Sequence, residues 1–258
     1  MKITCLLENT ASRPDVTPEH GLSLWIETKR HRILFDTGQT DLFAKNADTL
    51  QIDLSKADLA VLSHGHYDHG GGLLTFLSKN KTAPIYLSQH AFGYYFNGTE
   101  KYIGLDKSLM GDPRLIYTKE KAEIADGLTL FSCNHHPRPH SLGSFGLTEQ
   151  KNGSFWDDPF LHEQYLLIEE DGKRVLISGC SHKGILDIAE WFSPDVLIGG
   201  FHLSKCALDS QLEQIALQLD AYPTCYYTCH CTGEEQFRFL AHRMKQLNYL
   251  SCGQTIIL

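Results

Sequence analysis

Apolar residues along this chain come in short blocks, and the spacing inside each block predicts its element. Residues 22–27 alternate apolar and polar, and 32–35 follow after a polar turn, which predicts two strands. The opening 1–7 is strand-like as well, and 57–63, 84–87, 195–198 and 224–228 are apolar runs of strand length. Residues 164–169 and 174–178 read as two strands joined by Glu170-Asp171-Gly172-Lys173, an Asp-Gly hairpin turn. Short strands are expected at 128–131 and 256–258. Helical spacing dominates later in the chain. Leu212, Ile215, Ala216 and Leu219 put a 3–4 repeat on 209–221, and Phe237, Leu240, Ala241 and Met244 share one face of 233–247. A helix over 184–192 is stopped by Ser193-Pro194, and 73–79 opens another after three glycines. Strands grouped early and alternating with helices late predict a mixed α/β fold.

Between 88 and 160 the texture changes. Tyr94-Tyr95-Phe96, Met110-Gly111-Asp112-Pro113 and His135-His136-Pro137-Arg138-Pro139-His140 mix aromatics, Gly, Pro and His, with only short strand-like pieces. Long irregular stretches in compact proteins are often binding loops. The expectation is one domain over 1–258, with 88–160 as substrate-covering loops. The basic run at 135–140 is either a solvated loop or part of that cover.

Composition narrows the class. Of 258 residues, 42% are apolar and 21% charged, as in ordinary globular chains. Lys plus Arg is 23 and Asp plus Glu is 31, so the formal charge is 23 − 31 = −8. That balance argues against nucleic acid as a partner but admits a small anionic substrate. No apolar run is long enough to span a membrane, so no membrane partner is expected. The first residues hold no apolar signal core, which predicts a cytoplasmic protein with reduced thiols. A homo-oligomer stands open beside a monomer.

Two residue types are in excess: 14 His and 8 Cys. Their positions matter more than their number. Strand 57–63 ends at His64-Gly65-His66-Tyr67-Asp68-His69, 174–178 at Gly179-Cys180-Ser181-His182, 195–198 at Gly199-Gly200-Phe201-His202, and 224–228 at Cys229-His230-Cys231. Strand 32–35 ends at Asp36. Ligands of α/β sheets bind beyond the carboxyl ends of strands, so loops sharing one edge would converge on a metal site. His64 and His66 can grip one ion across a glycine, and Asp68 and His69 can turn to a second. Imidazole suits zinc or iron, and carboxylate accepts manganese as well. His202 is expected to face the site as ligand, proton donor or substrate contact. Strand alternation puts Cys229 and Cys231 opposite His230, in packing positions. His20, His31, His90 and His242 are expected at the surface.

The run His64-Gly65-His66-Tyr67-Asp68-His69 matches the His-x-His-x-Asp-His signature of the metallo-β-lactamase superfamily, and Phe35-Asp36-Thr37-Gly38 resembles its upstream Asp motif. Residues 19–24, 34–39, 63–73, 179–182, 199–203 and 230–233 resemble, more narrowly, the branch typified by a dihydropterin-ribofuranosyl-aminobenzene-phosphate synthase. The resemblance implies an αββα sandwich, two facing β-sheets with helices outside and two divalent metal ions at one edge. Zinc is the first choice, with iron or manganese as alternatives. It implies that His64 and His66 bind one ion, Asp68 and His69 the other, that His230 is the last His ligand, and that Asp36 orients the His loop. The usual bridging Asp is replaced by Cys180, and the usual third His has no direct match. His182 is taken as that ligand, with His162 as the alternative, and Cys180 is either a thiolate ligand or a small core residue. Asp68 and His202 are the candidate catalytic groups.

The function this implies is metal-dependent hydrolysis of a small phosphorylated or diphosphate-bearing substrate. The alternative is a transferase like the branch's synthase, releasing diphosphate. A non-hydrolytic metal sensor or redox protein is a third reading.

Overall fold

The structure is a computed structural model that describes residues 1–258. Its centre is a pair of seven-stranded sheets. The first runs in the order Thr255–Ile257, Lys2–Leu7, Ser23–Glu27, Arg32–Phe35, Leu59–Val61, Ile85–Ser88, Leu115–Thr118. The second runs Leu247–Tyr249, Cys225–Thr228, Val196–Gly199, Lys173–Gly179, Tyr165–Glu170, Leu128–Phe131, Lys121–Ala125. Side-chain alternation sends each strand's residues to two cores. Ile33 and Phe35, with Val175 and Ile177 from the other sheet, join the 19-residue cluster between the sheets. Leu34 points the other way and meets Phe43 and Ala47 of helix Leu42–Thr49 and Phe76 of helix Leu73–Lys79. Leu176 and Leu197 likewise pack on Ile188 of helix Ile185–Phe192 and on Ile215 and Leu219 of helix Ser210–Asp220. The layers are helix, sheet, sheet, helix, which is the mixed α/β sandwich expected. Strands buried on both faces read as unbroken apolar runs, which is why 57–63 and 195–198 stand out in the sequence.

Local chemistry sets the ends. Asp209 caps helix Ser210–Asp220 by accepting from the backbone N–H groups of Gln211 and Leu212. The Glu170–Lys173 hairpin closes with those two residues paired. The last helix is shorter than its periodicity suggests. It spans Glu234–Ala241, and Leu247–Tyr249 leaves it to pair in parallel with Cys225–Thr228. Met244 still reaches the helix-side core through the turn that follows, so burial survives while the helix ends.

The 88–160 stretch differs most from expectation. It contains seven strands. Leu115–Thr118 completes the first sheet, Lys121–Ala125 and Leu128–Phe131 complete the second, and Tyr95–Asn97, Lys101–Tyr102, Leu147–Lys151 and Ser154–Asp157 form a separate four-stranded sheet. These strands are short and half exposed, so they lack the long apolar signature that marks the central ones.

Candidate metal centre

Arg32–Phe35 runs parallel to Leu59–Val61, and Lys173–Gly179, Val196–Gly199 and Cys225–Thr228 run parallel to one another. Their carboxyl-terminal loops meet at one edge of the sandwich. Strand directions bring further residues there. Lys2–Leu7 and Arg32–Phe35 are both antiparallel to Ser23–Glu27, so Glu8 and Asn9 leave their strand at this edge and His20 sits just before the entry of the next. Asp158, His162 and Glu163 precede Tyr165–Glu170, which runs antiparallel to Lys173–Gly179. The loops are held in uncommon backbone conformations. Asp36, Ser181, His202 and His230 have φ of 57°, 60°, 53° and 49°, the left-handed region that non-glycine residues enter only rarely. At Gly179, with φ of 67°, a Cβ would lie 2.6 Å from the Ser63 hydroxyl, so only glycine lets the two loops close.

Asp36 is buried and organises the motif loop. Its carboxylate accepts the backbone N–H of Ser63 at 2.7 Å, the Ser63 hydroxyl at 2.7 Å and Nδ1–H of His69 at 2.6 Å. With its hydroxyl proton given to Asp36, Ser63 Oγ accepts from Nδ1 of His64 at 2.8 Å. On the opposite wall, Nδ1 of His230 donates to Asn9 Oδ1 at 2.8 Å. Each of these bonds assigns the proton to Nδ1 and leaves a lone pair on Nε2. Those Nε2 atoms point inward. His64 Nε2 lies 3.2 Å from His182 Nε2, and His69 Nε2 lies 3.3 Å from His230 Nε2 and 3.1 Å from Cys180 Sγ. His66 joins His64 and His182 in one group of donors within 4.8 Å of one another. Asp68 Oδ2 stands 3.4 Å from His230 Nε2 and 3.9 Å from His69 Nε2.

The donor sets fit divalent metal ions. Two lone pairs facing each other at such distances repel unless a proton or a cation lies between them. Buried Nε2 of His66 and Nδ1 of His182 have no hydrogen-bond partner. Burial pushes His64 and His182 well below the ordinary imidazole value and His66 down to about 4, so these rings are neutral ligands. Burial works against the Asp68 carboxylate, yet His69, His20 and His230 hold it well below the usual range. Burial also pushes the Cys180 thiol up, and a cation is what would release its proton. Ligating histidines commonly donate their second N–H to a carboxylate or an amide oxygen, as His69 and His230 do here.

A cavity of about 440 Å³ opens over this edge. His66, Asp68, Cys180, His182, His202 and His230 form its floor, and Asn97, Lys101, Ile103 and Leu147 from the four-stranded sheet and its flank form one wall. Lys205 stands on the wall contributed by the loop after Val196–Gly199. Both nitrogens of His202 are buried without a partner, and its ring packs on His182 with centroids 4.2 Å apart.

The structure thus brings His64, His66, Asp68, His69, Cys180, His182, His202 and His230 together, with Asp36 behind them. His162 lies beside His66, their ring centroids 4.9 Å apart, and groups with it and Asp158, but both its nitrogens are engaged. Its Nδ1 accepts the Gly65 N–H at 3.0 Å and its Nε2 donates to Asp158 at 3.0 Å, so it braces the motif loop with no lone pair to spare. One expectation is corrected, and one gains a detail. His20 is exposed, as expected, yet its Nε2 lies 3.2 Å from Asp68 Oδ2 and its ring packs on His230. Cys231 does not pack away from the site. His230–Thr232 is a single tight turn, strand alternation stops there, and the thiol lines the cavity. The basic run at 135–140 lies off this cavity. Glu8, Asn9 and Glu163 had no signal in the sequence beyond their position beside strands. Glu163 is buried and accepts the N–H groups of His182 and Lys183, which fixes the turn that carries His182.

The sequence profile of the metallo-beta-lactamase superfamily matches residues 16–203, and the chain belongs to that superfamily. Among its relatives in Methanocaldococcus jannaschii, an uncharacterised protein is 28% identical, over 97% of this chain and 96% of its own length. The 7,8-dihydropterin-6-methyl-4-(β-D-ribofuranosyl)-aminobenzene-5′-phosphate synthase of the same organism is 27% identical, over 92% of this chain and 90% of its own. A solved metal-dependent hydrolase of the β-lactamase superfamily superposes with a TM-score of 0.85 at 28% identity, covering 100% of this chain and 99% of that one.

Proposed function

We propose that this chain is a metal-dependent hydrolase that holds two divalent ions, zinc first, and acts on a small phosphorylated or diphosphate-bearing substrate. The observation that carries the reading is the convergence of inward-facing Nε2 atoms, one carboxylate and one thiol on the floor of a cavity with lysines on its walls. His64, His66 and His182 would hold one ion. Asp68, His69, His230 and Cys180 would hold the other. Such ions, when bound, polarise an anionic oxygen and supply a nucleophile from water at neutral pH.

The chain's own residues do the rest. Asp36, Ser63 and Asn9 fix which ring nitrogen of three histidines faces inward. Lys101 and Lys205, tethered to Tyr67 Oη at 3.2 Å and to the Phe145 carbonyl at 2.8 Å, attract and orient the substrate's anionic group. His202, with both nitrogens free, gives a proton to the departing oxygen. Asp68, kept ionised by His69, His20 and His230, offers its carboxylate to the ion and can accept a hydrogen bond from the attacking water. The four-stranded sheet walls one side of the cavity and narrows the approach to the reacting bond. The charge of −8 and the small cavity favour a soluble metabolite over nucleic acid. No helix is long and apolar enough to cross a membrane.

The likeness to the synthase over nine-tenths of both chains favours a second reading, a transferase that joins a pterin to an aminobenzene ribofuranosyl phosphate. The test is one experiment. Zinc-loaded protein is offered a panel of phosphate esters and diphosphates, alone and with an aromatic amine acceptor. Water-dependent release of phosphate without acceptor supports the hydrolase. Turnover that requires the acceptor supports the synthase.

A further inference from the structure

Cys231 has no part in the reading above, yet its thiol lies beside Cys180. The two Sγ atoms and a ring nitrogen of His230 fall within 4.8 Å of one another, and Cys231 Sγ is 3.4 Å from the Cys180 carbonyl oxygen. All eight cysteines are unpaired. Both side chains are buried, at 2% and 8% exposure, but both line the cavity, so a small oxidant reaches them without unfolding. They sit in two short turns, Cys180 between Gly179 and Ser181 with left-handed φ, and Cys231 in the single turn His230–Thr232. A disulfide needs the sulfurs about 2 Å apart, and rotation between staggered χ1 wells moves each sulfur along an arc about its Cα–Cβ bond. Closing this gap requires the two side chains to turn toward each other from these two turns.

We propose that Cys180 and Cys231 form a peroxide-sensitive dithiol that disarms the metal centre. One thiol attacks hydrogen peroxide, breaking the O–O bond to give a sulfenic acid and one water. The second thiol then displaces the sulfenic hydroxyl, forming the S–S bond and a second water, so two S–H groups are oxidised by one peroxide. The disulfide removes Cys180 from the donors around His69 and His230. This last consequence rests on the proposed metal reading, while the disulfide itself does not. Bound metal would protect the pair, because Cys180 cannot both ligate and couple. Disulfides in a reducing compartment are commonly transient and redox-sensing, as this one would be.

The test uses the full chain, metal-stripped and zinc-loaded, exposed to hydrogen peroxide and then alkylated under denaturing conditions. Peptide mapping of the stripped protein should find a Cys180–Cys231 linkage and six alkylatable thiols of the eight. Dithiothreitol should reverse it, and C180S and C231S should each abolish it. Zinc-loaded protein should form the linkage at least tenfold more slowly and release one zinc per linkage. A linkage elsewhere, sulfinic acid without any linkage, or unchanged oxidation in C231S overturns the proposal, and the wild-type map decides even if a variant misfolds. Linkage with both ions retained overturns the switch. Failure to bind zinc at all overturns the metal reading and leaves the linkage to be judged by mass alone.

Discussion

Replacing Asp36 by Asn would test how the centre is organised, because the change is nearly isosteric and reverses a hydrogen-bond pattern. The Asp36 carboxylate accepts three bonds, from the Ser63 N–H, the Ser63 hydroxyl and His69 Nδ1–H, all at 2.6–2.7 Å. An Asn amide can accept the backbone N–H only by turning its NH2 toward the other two. His69 must then accept at Nδ1 and carry its proton on Nε2, which takes the lone pair away from the metal edge. Ser63 must accept too, so its hydroxyl no longer favours Nδ1–H on His64. Losing such an orienting group typically costs 10–100-fold in metal affinity, or about 1.4–2.7 kcal/mol. The buried charged hydrogen bonds lost add roughly 1.5–3 kcal/mol of stability each where no substitute bond forms. Competition with a chromophoric chelator should show the weakened ion on the Asp68–His69–His230 side, and nitrogen-15 NMR should show His69 in the other tautomer. An Asp36→Asn protein that folds, keeps Nδ1–H on His69 and binds both ions as tightly as wild type would refute this reasoning.

Other substitutions separate ligands from braces. His182→Ala should lose one ion at a chelator concentration the wild type withstands, with affinity down at least 10-fold; His162→Ala should still bind two ions, since both its nitrogens are engaged elsewhere. Elemental analysis after dialysis reads both, and a His162→Ala protein with one ion would reverse the assignment. Lys101→Met and Lys205→Met should each weaken binding of inorganic pyrophosphate to the zinc-loaded protein by about 2–5-fold, the scale of one solvent-exposed ion pair, with the effect shrinking at high salt; calorimetry that finds neither change removes the lysines from substrate binding. Asp209→Ala should cost about 1 kcal/mol through loss of the helix cap and lower the melting temperature by about 2–4 °C without changing metal content.

The central strands and the metal loop are legible in the sequence for a physical reason. Leu59–Val61 and Val196–Gly199 are buried on both faces, so composition alone marks them, and strands in parallel pairs deliver their following loops to one edge. His64, His182 and His230 follow from that rule. His20, Asn9 and Glu163 do not, because their place at the same edge depends on antiparallel strand directions that become known only once the sheet order is. Lys121–Ala125 and Ser154–Asp157 are hidden for the opposite reason: their positions are exposed or only half-buried, so no apolar run marks them. The helical repeat over 233–247 runs up to Leu247 and hides the start of Leu247–Tyr249, since Met244 satisfies the same spacing from a turn. Strand alternation misplaces Cys231 because it stops before the turn His230–Thr232, three residues short of this position.

The account's central claim is that two sets of facing donors each hold a metal ion. Metal content of the purified chain, stripped, reloaded with zinc and dialysed, tests it most directly. Two ions per chain, falling to one in His182→Ala, are expected. Less than half an ion per chain in a folded, reduced wild-type sample would contradict the claim.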